Sequence, residues 1–240
     1  GRVAEIVTSD GVVEGVILND GTRINAPVVI NVAGPHSNQI NIMADAVRDM
    51  NISTRALRQE VAHIPAPEGV DYSSIGSIVS DSDAAVYTRP DSGQDILIGS
   101  EDPPCDPHIY VDPDNYETNF SDQWTVQVQR LAQRFPSLGI PTKLRGCVDL
   151  YDVTEDWMPI YDCSCISGYY MACGTSGNQF KNAPVAAKAM VELIEYCESG
   201  ANHDELPMKY KLEHIDHVIS MGLFSRLREI NQDSTFSVLG

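Results

Sequence analysis

The chain has 240 residues, 42% hydrophobic and 21% charged, enough for one domain with a sizeable core or two small ones. A formal net charge of −18 offers no basic stripe to phosphates and argues against nucleic acid as a partner. No apolar run is long enough to span a bilayer, and the first residues carry no signal-peptide pattern. Six cysteines occur without a CxxC pair, so zinc-type spacing is absent and no metal is expected. Reduced thiols in a cytoplasmic protein fit this usage, with Cys173 and Cys197 on apolar faces.

Arg2 to Gly34 reads as strand after strand. Val3–Thr8 and Val12–Leu18 are β-branched runs separated by Ser9-Asp10-Gly11, and Asn19-Asp20-Gly21 leads to a third short strand at Thr22–Ala26. Val28–Ala33 is a continuous apolar run, the pattern of a buried parallel strand, and a helix is predicted from Ser37 to about Met50. Short strands follow at Arg58–Ile64, Ile75–Ser80, Ala84–Arg89 and Asp95–Gly99. Tyr116–Phe135 repeats Phe120, Trp124, Val128, Leu131 and Phe135 at helical spacing. This middle region reads as an antiparallel sheet with helices on one side.

Gly168–Ile194 is the most informative stretch. Tyr169–Cys173 is a compact buried strand, and Gly174, Thr175, Ser176 and Gly177 break it with turn chemistry. A helix follows, with Asn182 as its expected N-cap and Pro184 just inside it. Val185, Ala186, Ala189, Met190, Leu193, Ile194 and Cys197 mark its apolar face. Such a turn presents backbone N–H groups to an anion or a carbonyl oxygen, and it is equally the ordinary strand-to-helix turn of an α/β domain. Ser199-Gly200 stops the helix, and a further helical stretch is expected over Leu212–Ile230. His214 and His217 would share a face of it, solvated or partner-facing rather than metal-binding. Phe236–Gly240 is apolar and is expected to pack against the protein.

GTSGNQFKNAP followed by a small-residue helix resembles the C-terminal flavin-contacting segment of the FAD-dependent amine and amino-acid oxidoreductases, the D-amino-acid oxidase, glycine oxidase and sarcosine oxidase superfamily. Ser176, Gly177, Phe180, Lys181 and Pro184 match, while Asn178 replaces the usual His and Gln179 the usual Gly. VEGVILNDGTRINAPVVINVAGPHS resembles that family's hairpin and its return strand "V-V-N-A-A-G-x-x-S". VYTRPDSGQDILIGS is similar to a hairpin of its substrate domain. CVDLYDVTEDWMPIYD is similar to "W-A-G-L-R/Y-x-x-T-P-D-x-x-P-I-I-G", matching at Leu150, Tyr151, Thr154, Asp156, Pro159 and Ile160.

The resemblance implies a partial FAD-binding, Rossmann-like α/β domain (residues 1–52 and 164–240) and a mostly antiparallel α+β substrate domain (residues 53–163). It implies FAD contacts at Val3, Ala33, Gly34, Gly174, Thr175, Ser176, Gly177, Asn178, Gln179 and Phe180, with Val3 on the adenine side. Tyr151 in place of Arg resembles the dimethylglycine dehydrogenase, proline dehydrogenase and sarcosine oxidase branch. Asp149 stands where monomeric sarcosine oxidases carry a flavin-linking Cys, which implies non-covalent flavin. Lys181 and Tyr151 are the catalytic candidates. Lys181 pairs with a substrate carboxylate or the reduced flavin, or is a surface lysine placed unfavourably at a helix start. Tyr151 bonds the substrate or packs as a core aromatic.

The family's G-x-G-x-x-G turn occurs nowhere in these residues, which also weighs against a nicotinamide enzyme. The expectation is therefore a C-terminal fragment of a flavoprotein that oxidises the C–N bond of a small secondary or tertiary amine or amino acid. The alternative is a non-catalytic fragment or assembly subunit without FAD. Exposed sheet edges in such a fragment favour homo-oligomers.

Overall fold

A computed structural model describes residues 1–238. Strands β1 (Val3–Ser9), β2 (Val12–Leu18) and β3 (Arg23–Asn25) form an antiparallel sheet through the two Asp-Gly turns. Strand β4 (Val29–Asn31) leads into helix α1 (Ser37–Met43). The predicted helix does not continue to Met50. Asp45 takes a left-handed φ of 56°, and a separate 3-10 turn covers Ala46–Asp49. A single short polar residue adopts that conformation at little cost.

The middle region comprises β5 (Thr54–Pro65), α2 (Tyr72–Ile75), β6 (Val79–Asp81), β7 (Val86–Pro90), β8 (Asp95–Ser100), α3 (Asp122–Ala132) and β9 (Gly146–Thr154). The predicted strand at Ile75–Ser80 begins only at Val79, because Asp71 accepts from the Ser74 amide (3.3 Å) and nucleates a helical turn first. Helix α3 is shorter than predicted. Ser121 caps it by accepting from the Gln123 amide (3.2 Å), so nothing before Asp122 is helical. Trp124, Val128 and Leu131 recur along α3 and bury against Ala62, Ile64, Val86, Ile96 and Ile98 of the sheet. Each such side chain contributes about 1.5–3 kcal/mol on burial.

Strands β10 (Ile160–Cys163) and β11 (Tyr169–Cys173) precede helix α4 (Ala183–Glu198). The sheet order is β10-β11-β4, with β11 antiparallel to β10 and parallel to β4, so the runs at Val28–Ala33 and Tyr169–Cys173 are neighbours. Strand β11 is covered on both faces, which is why it reads as unbroken apolar sequence. Tyr169, Met171 and Cys173 enter one core cluster, whereas Tyr170 joins Ala189, Met190 and Leu193 of α4 in another.

Beyond α4 the predicted helix at Leu212–Ile230 is absent. Strands β12 (Lys209–Lys211) and β13 (Val218–Ser220) form a hairpin, followed by a 3-10 turn at Met221–Phe224. Tyr210 is buried between two exposed lysines, a period of two rather than 3.6. His214 and His217 accordingly lie in the exposed hairpin connection and share no helix face. Phe236 is half-buried and Ser237 buried, while Leu239 and Gly240 lie outside the described residues.

The chain divides into two compact units, one of residues 1–56 and 151–236, the other of residues 57–150 with Ser237 and Val238. The expected limits, 52/53 and 163/164, therefore shift to 56/57 and 150/151, within β5 and β9. Tyr151–Cys163 belongs with the glycine turn, because β10 pairs with β11. Among the described residues no helix is long and apolar enough to cross a membrane.

Candidate functional site

In the first unit the parallel pairing of β4 and β11, with Asn31 opposite Met171, puts their C-terminal ends side by side. Ligands of open α/β sheets bind outside such ends. Strand β4 runs out into Ala33 and Gly34, and β11 into Gly174. Asn31 fixes the first exit. Its Nδ2 donates to the Ser37 carbonyl (2.9 Å) and to Asn41 Oδ1 (2.7 Å), and its Oδ1 accepts from the Ala33 amide (3.1 Å). The Tyr169 hydroxyl donates to Asn41 Oδ1 as well (2.8 Å). Gly34 has φ of 57°, with open space where a Cβ would stand.

The second exit is a run of left-handed residues: Gly174 (φ 68°), Ser176 (φ 50°) and Gly177 (φ 75°). A serine in that region costs about 1–2 kcal/mol. Its contacts offset the cost: Ser176 is buried, its amide donates to the Asp152 carbonyl (2.7 Å) and its hydroxyl to the Gly174 carbonyl (3.2 Å). The Gly174 amide donates to Asp152 Oδ2 (2.6 Å). Asp152 thus grips the turn with side chain and main chain together. Burial pushes its carboxyl up to about 7, against the lowering effects of the Gly174 amide and the Thr54 and Ser37 hydroxyls. Asp152 Oδ1, Ser37 Oγ and Thr54 Oγ1 are each buried, and no hydrogen bond of regular geometry joins them to a partner among the described residues.

Tyr151 packs directly beneath the turn. A Cβ on Gly177 would fall 2.4 Å from the Tyr151 ring, so contact and positive φ both require glycine there. Beyond Gly177, Lys181 Nζ donates to the Asn178 carbonyl (3.0 Å), and the Asn178 and Gln179 side chains are bonded to each other. Asn182 precedes α4 as expected but does not cap it with its side chain: Nδ2 donates instead to Gln179 Oε1 (2.9 Å). The 3-10 turn at Gln179–Asn182 holds Asn182 in helical backbone, not the extended backbone from which a side chain caps a helix. The Phe180 ring is 96% exposed. On the other side of the helix start, an apolar cavity of about 340 Å³ is walled by Trp157, Tyr161, Val185, Ala189, Met221 and Phe224.

Of the sequence-predicted residues, Gly174 to Phe180, Lys181 and Tyr151 form one local group, and Ala33 and Gly34 lie at the same edge of the sheet. Val3 is apart from them, half-buried at the start of β1 in a different sheet. Asp152, Asn31 and Asn41 were not singled out from the sequence. Asp152 and Asn31 lie inside the quoted segments, but hydrophilicity alone does not reveal a polar residue that will be buried. Asp162, Cys163 and Asp204 bring ligand-type atoms within 4.8 Å of one another. Arg226 Nη1 already stands among them, at 3.1, 3.8 and 2.9 Å respectively, and supplies the positive charge.

Two parallel strand ends meeting at a glycine turn define an α/β site for a ligand with hydrogen-bond acceptors. Residues 1–193 match the family described as FAD dependent oxidoreductase (DAO), and the chain belongs to that family. Similar solved structures are L-proline dehydrogenase from P. horikoshii (TM-score 0.67, 18% identity, covering 95% of this chain and 53% of that one) and glycine oxidase from Geobacillus kaustophilus (0.65, 16%, 96% and 52%). The fructosamine oxidase Amadoriase II from Aspergillus fumigatus is also similar (0.62, 16%, 81% and 48%). The chain spans about half the length of these relatives. No curated protein matches it in sequence.

Proposed function

We propose that this chain forms one wall of a flavoprotein that oxidises the C–N bond of a small secondary or tertiary amine or amino acid, of the sarcosine, dimethylglycine or proline type. The observation that carries the reading is the glycine turn itself, set on Tyr151 at the carboxyl end of β11. Its residues fit the cofactor's ring. Among the described residues the amides of Thr175 and Gly177 have no acceptor, and the space over Gly34 is open. FAD, when bound, supplies the acceptor for the electron pair leaving the C–N bond. The chain's own part is to hold and orient it: the free amides of Thr175 and Gly177 toward the ring, with Gly174, Ser176, Asn178, Gln179 and Phe180 around it, Ala33 and Gly34 along the dinucleotide, and Val3 toward the adenine. Asp149 stands where related sarcosine oxidases carry a flavin-linking Cys, and by that resemblance the cofactor is taken to be held non-covalently. We propose further that the protein works in the cytoplasm, with no nucleic-acid or membrane partner. Anaerobic addition of sarcosine, dimethylglycine or proline to the FAD-loaded full-length flavoprotein should bleach the flavin band at about 450 nm. Bleaching by none of them would sink the reading.

Lys181 is assigned to the substrate carboxylate. Its Nζ rests 3.0 Å from the Asn178 carbonyl, at the mouth of the turn. A charge-assisted bond there is worth about 1.5–3 kcal/mol. In the full-length flavoprotein Lys181→Met should therefore lower kcat/KM about 10- to 100-fold. The loss should shrink for an amine without a carboxylate. Equal losses for both substrates would place Lys181 against the flavin, and no loss would make it a surface lysine. Tyr151 either bonds the substrate or supports Gly177, and Tyr151→Phe separates the two.

A second reading concerns the 240-residue chain by itself: a fragment or assembly subunit that does not retain FAD. It is favoured by the bare Phe180 ring and by Ile30 and Val32, which are 43% and 68% exposed on the edge strand β4 or just beyond it. Such an edge also favours pairing between copies. Titration of the isolated chain with FAD should show no tight saturation. A submicromolar Kd, about −8 kcal/mol or better, would reject this reading.

A further inference from the structure

The apolar cavity of about 340 Å³ beside the start of α4 is bounded by the loop at Trp157, Tyr161 of β10, Ala189 of α4, and Met221 and Phe224 of the closing 3-10 turn. No charged side chain lines it. Gln179 is its one lining residue among those assigned above to the cofactor, and Met221 and Phe224 lie beyond residues 1–193, the part that matches the family. Protein cores are close-packed, with few spaces larger than a water molecule. One wall of this space is also held in place against backbone strain. Trp157 has a φ of 59°, in the left-handed region where a bulky residue is rare. Such backbone persists only where its surroundings over-determine it, and it concentrates at ligand sites. Here the surroundings are a clamp. The Arg228 guanidinium donates to both carboxylate oxygens of Asp156 (2.9 and 2.8 Å) and to the carbonyls of Met158 (2.8 Å) and Pro159 (3.3 Å). Asp156 Oδ1 accepts from the Met158 amide as well (3.1 Å). The loop is thereby tied on both sides of Trp157, whose buried side chain stands on the cavity wall. A glycine would make the same turn without strain, so the indole is what the strain retains.

We propose that this cavity binds a neutral molecule of bicyclic aromatic size. An apolar cavity of about 150 Å³ takes one benzene ring. This one has about twice that volume. The rings of Trp157, Tyr161 and Phe224 and the thioethers of Met158 and Met221 match an aromatic guest, because rings meet edge to face and sulfur lies against a ring edge. Tyr161 and Phe224 already pack in a tilted manner, with centroids 5.4 Å apart and planes at 55°. A lining without charge excludes an ionised guest, whose burial would go uncompensated. The polar atoms of the lining are grouped. The Tyr161 hydroxyl donates to Gln179 Oε1 (3.4 Å), and Asn182 Nδ2 donates to the same oxygen (2.9 Å). Gln179 Oε1 is thereby satisfied, while the Tyr161 oxygen keeps a lone pair for one O–H or N–H of the guest.

The test is a fluorine NMR titration of the FAD-loaded full-length flavoprotein with 1-fluoronaphthalene, so that the flavin occupies its own site. The expected result is saturable broadening of the probe signal. The anionic 4-fluoro-1-naphthoate should bind about 10-fold more weakly or worse, since its carboxylate finds no partner. Ala189→Phe fills the cavity from α4 and should weaken binding of 1-fluoronaphthalene about 10-fold or more. Ala186→Leu, a smaller change in the same wall, makes the same test if the first variant does not fold. Four results would each overturn the proposal: no saturable binding, equal binding of the naphthoate, unchanged affinity in the folded variant, or release of the probe by sarcosine, dimethylglycine or proline, which would place it at the amine site instead.

Discussion

Arg226→Met is expected to cost about 3–5 kcal/mol of folding stability, the range for removing one partner from a buried ion pair. Arg226 is 1% exposed and reaches Asp49 Oδ2 (2.7 Å), Asp204 Oδ2 (2.8 Å) and Asp162 Oδ2 (3.1 Å). Burial by itself lowers the guanidinium's pKa, but the carboxylates of Asp204, Asp49 and Asp162 outweigh it and hold the side chain firmly charged. Methionine fills the space of the stem and leaves Asp162, fully buried on β10, without its countercharge. The Arg226 amide would still donate to Asp162 Oδ2 (2.7 Å), as would the Ser225 hydroxyl (3.0 Å), so part of the site survives. Urea unfolding at neutral pH is the measurement. A loss below about 1 kcal/mol, the ceiling for a surface pair, would show that the network is dispensable.

Asp152→Asn is expected to stabilise the protein by about 2–4 kcal/mol at pH 8, by less than half as much at pH 5, and hardly at all below pH 3.8. Burial raises the native carboxyl from its ordinary 3.8 to about 7, so the native state binds this proton more tightly than the unfolded chain. The contribution is complete below pH 3.8 and is lost as pH rises through about 7, at a ceiling of about 4 kcal/mol. Asparagine stays neutral throughout, and its Oδ1 still accepts from the Gly174 amide. Asp102 in the other unit, raised by burial to about 6, adds a slope of the same sign in both proteins. Subtracting the two stability curves therefore isolates Asp152. A flat difference between pH 5 and pH 8 would mean that the carboxyl is ionised at little cost.

The strands were legible where pattern and burial agree. Tyr169–Cys173 and Val12–Leu18 match the sequence expectation in full, since one is apolar on every residue and the other is bracketed by Asp-Gly turns. The C-terminal segment was misread because Leu212, Ile215 and Ile219 mimic helical spacing, while Tyr210 and Arg226 are buried for reasons that lie in other elements. Arg226 illustrates the limit: its partners stand 22, 64 and 177 residues away, and no local window contains them. The glycine turn was legible as a turn. What fixes it, Asp152 below and Asn31 beside, depends on strand pairing that spacing does not encode.

The two hydrogen bonds from the turn to Asp152 differ in what can undo them. The bond from the Gly174 amide ends on a carboxylate and disappears with the side chain. The bond from the Ser176 amide ends on a main-chain carbonyl, which every residue type possesses. Sequence change at position 152 can therefore retune the charge beneath the turn without releasing it. The seat of the turn is inherited from the path of the backbone, and its electrostatics are free to vary on top of that seat.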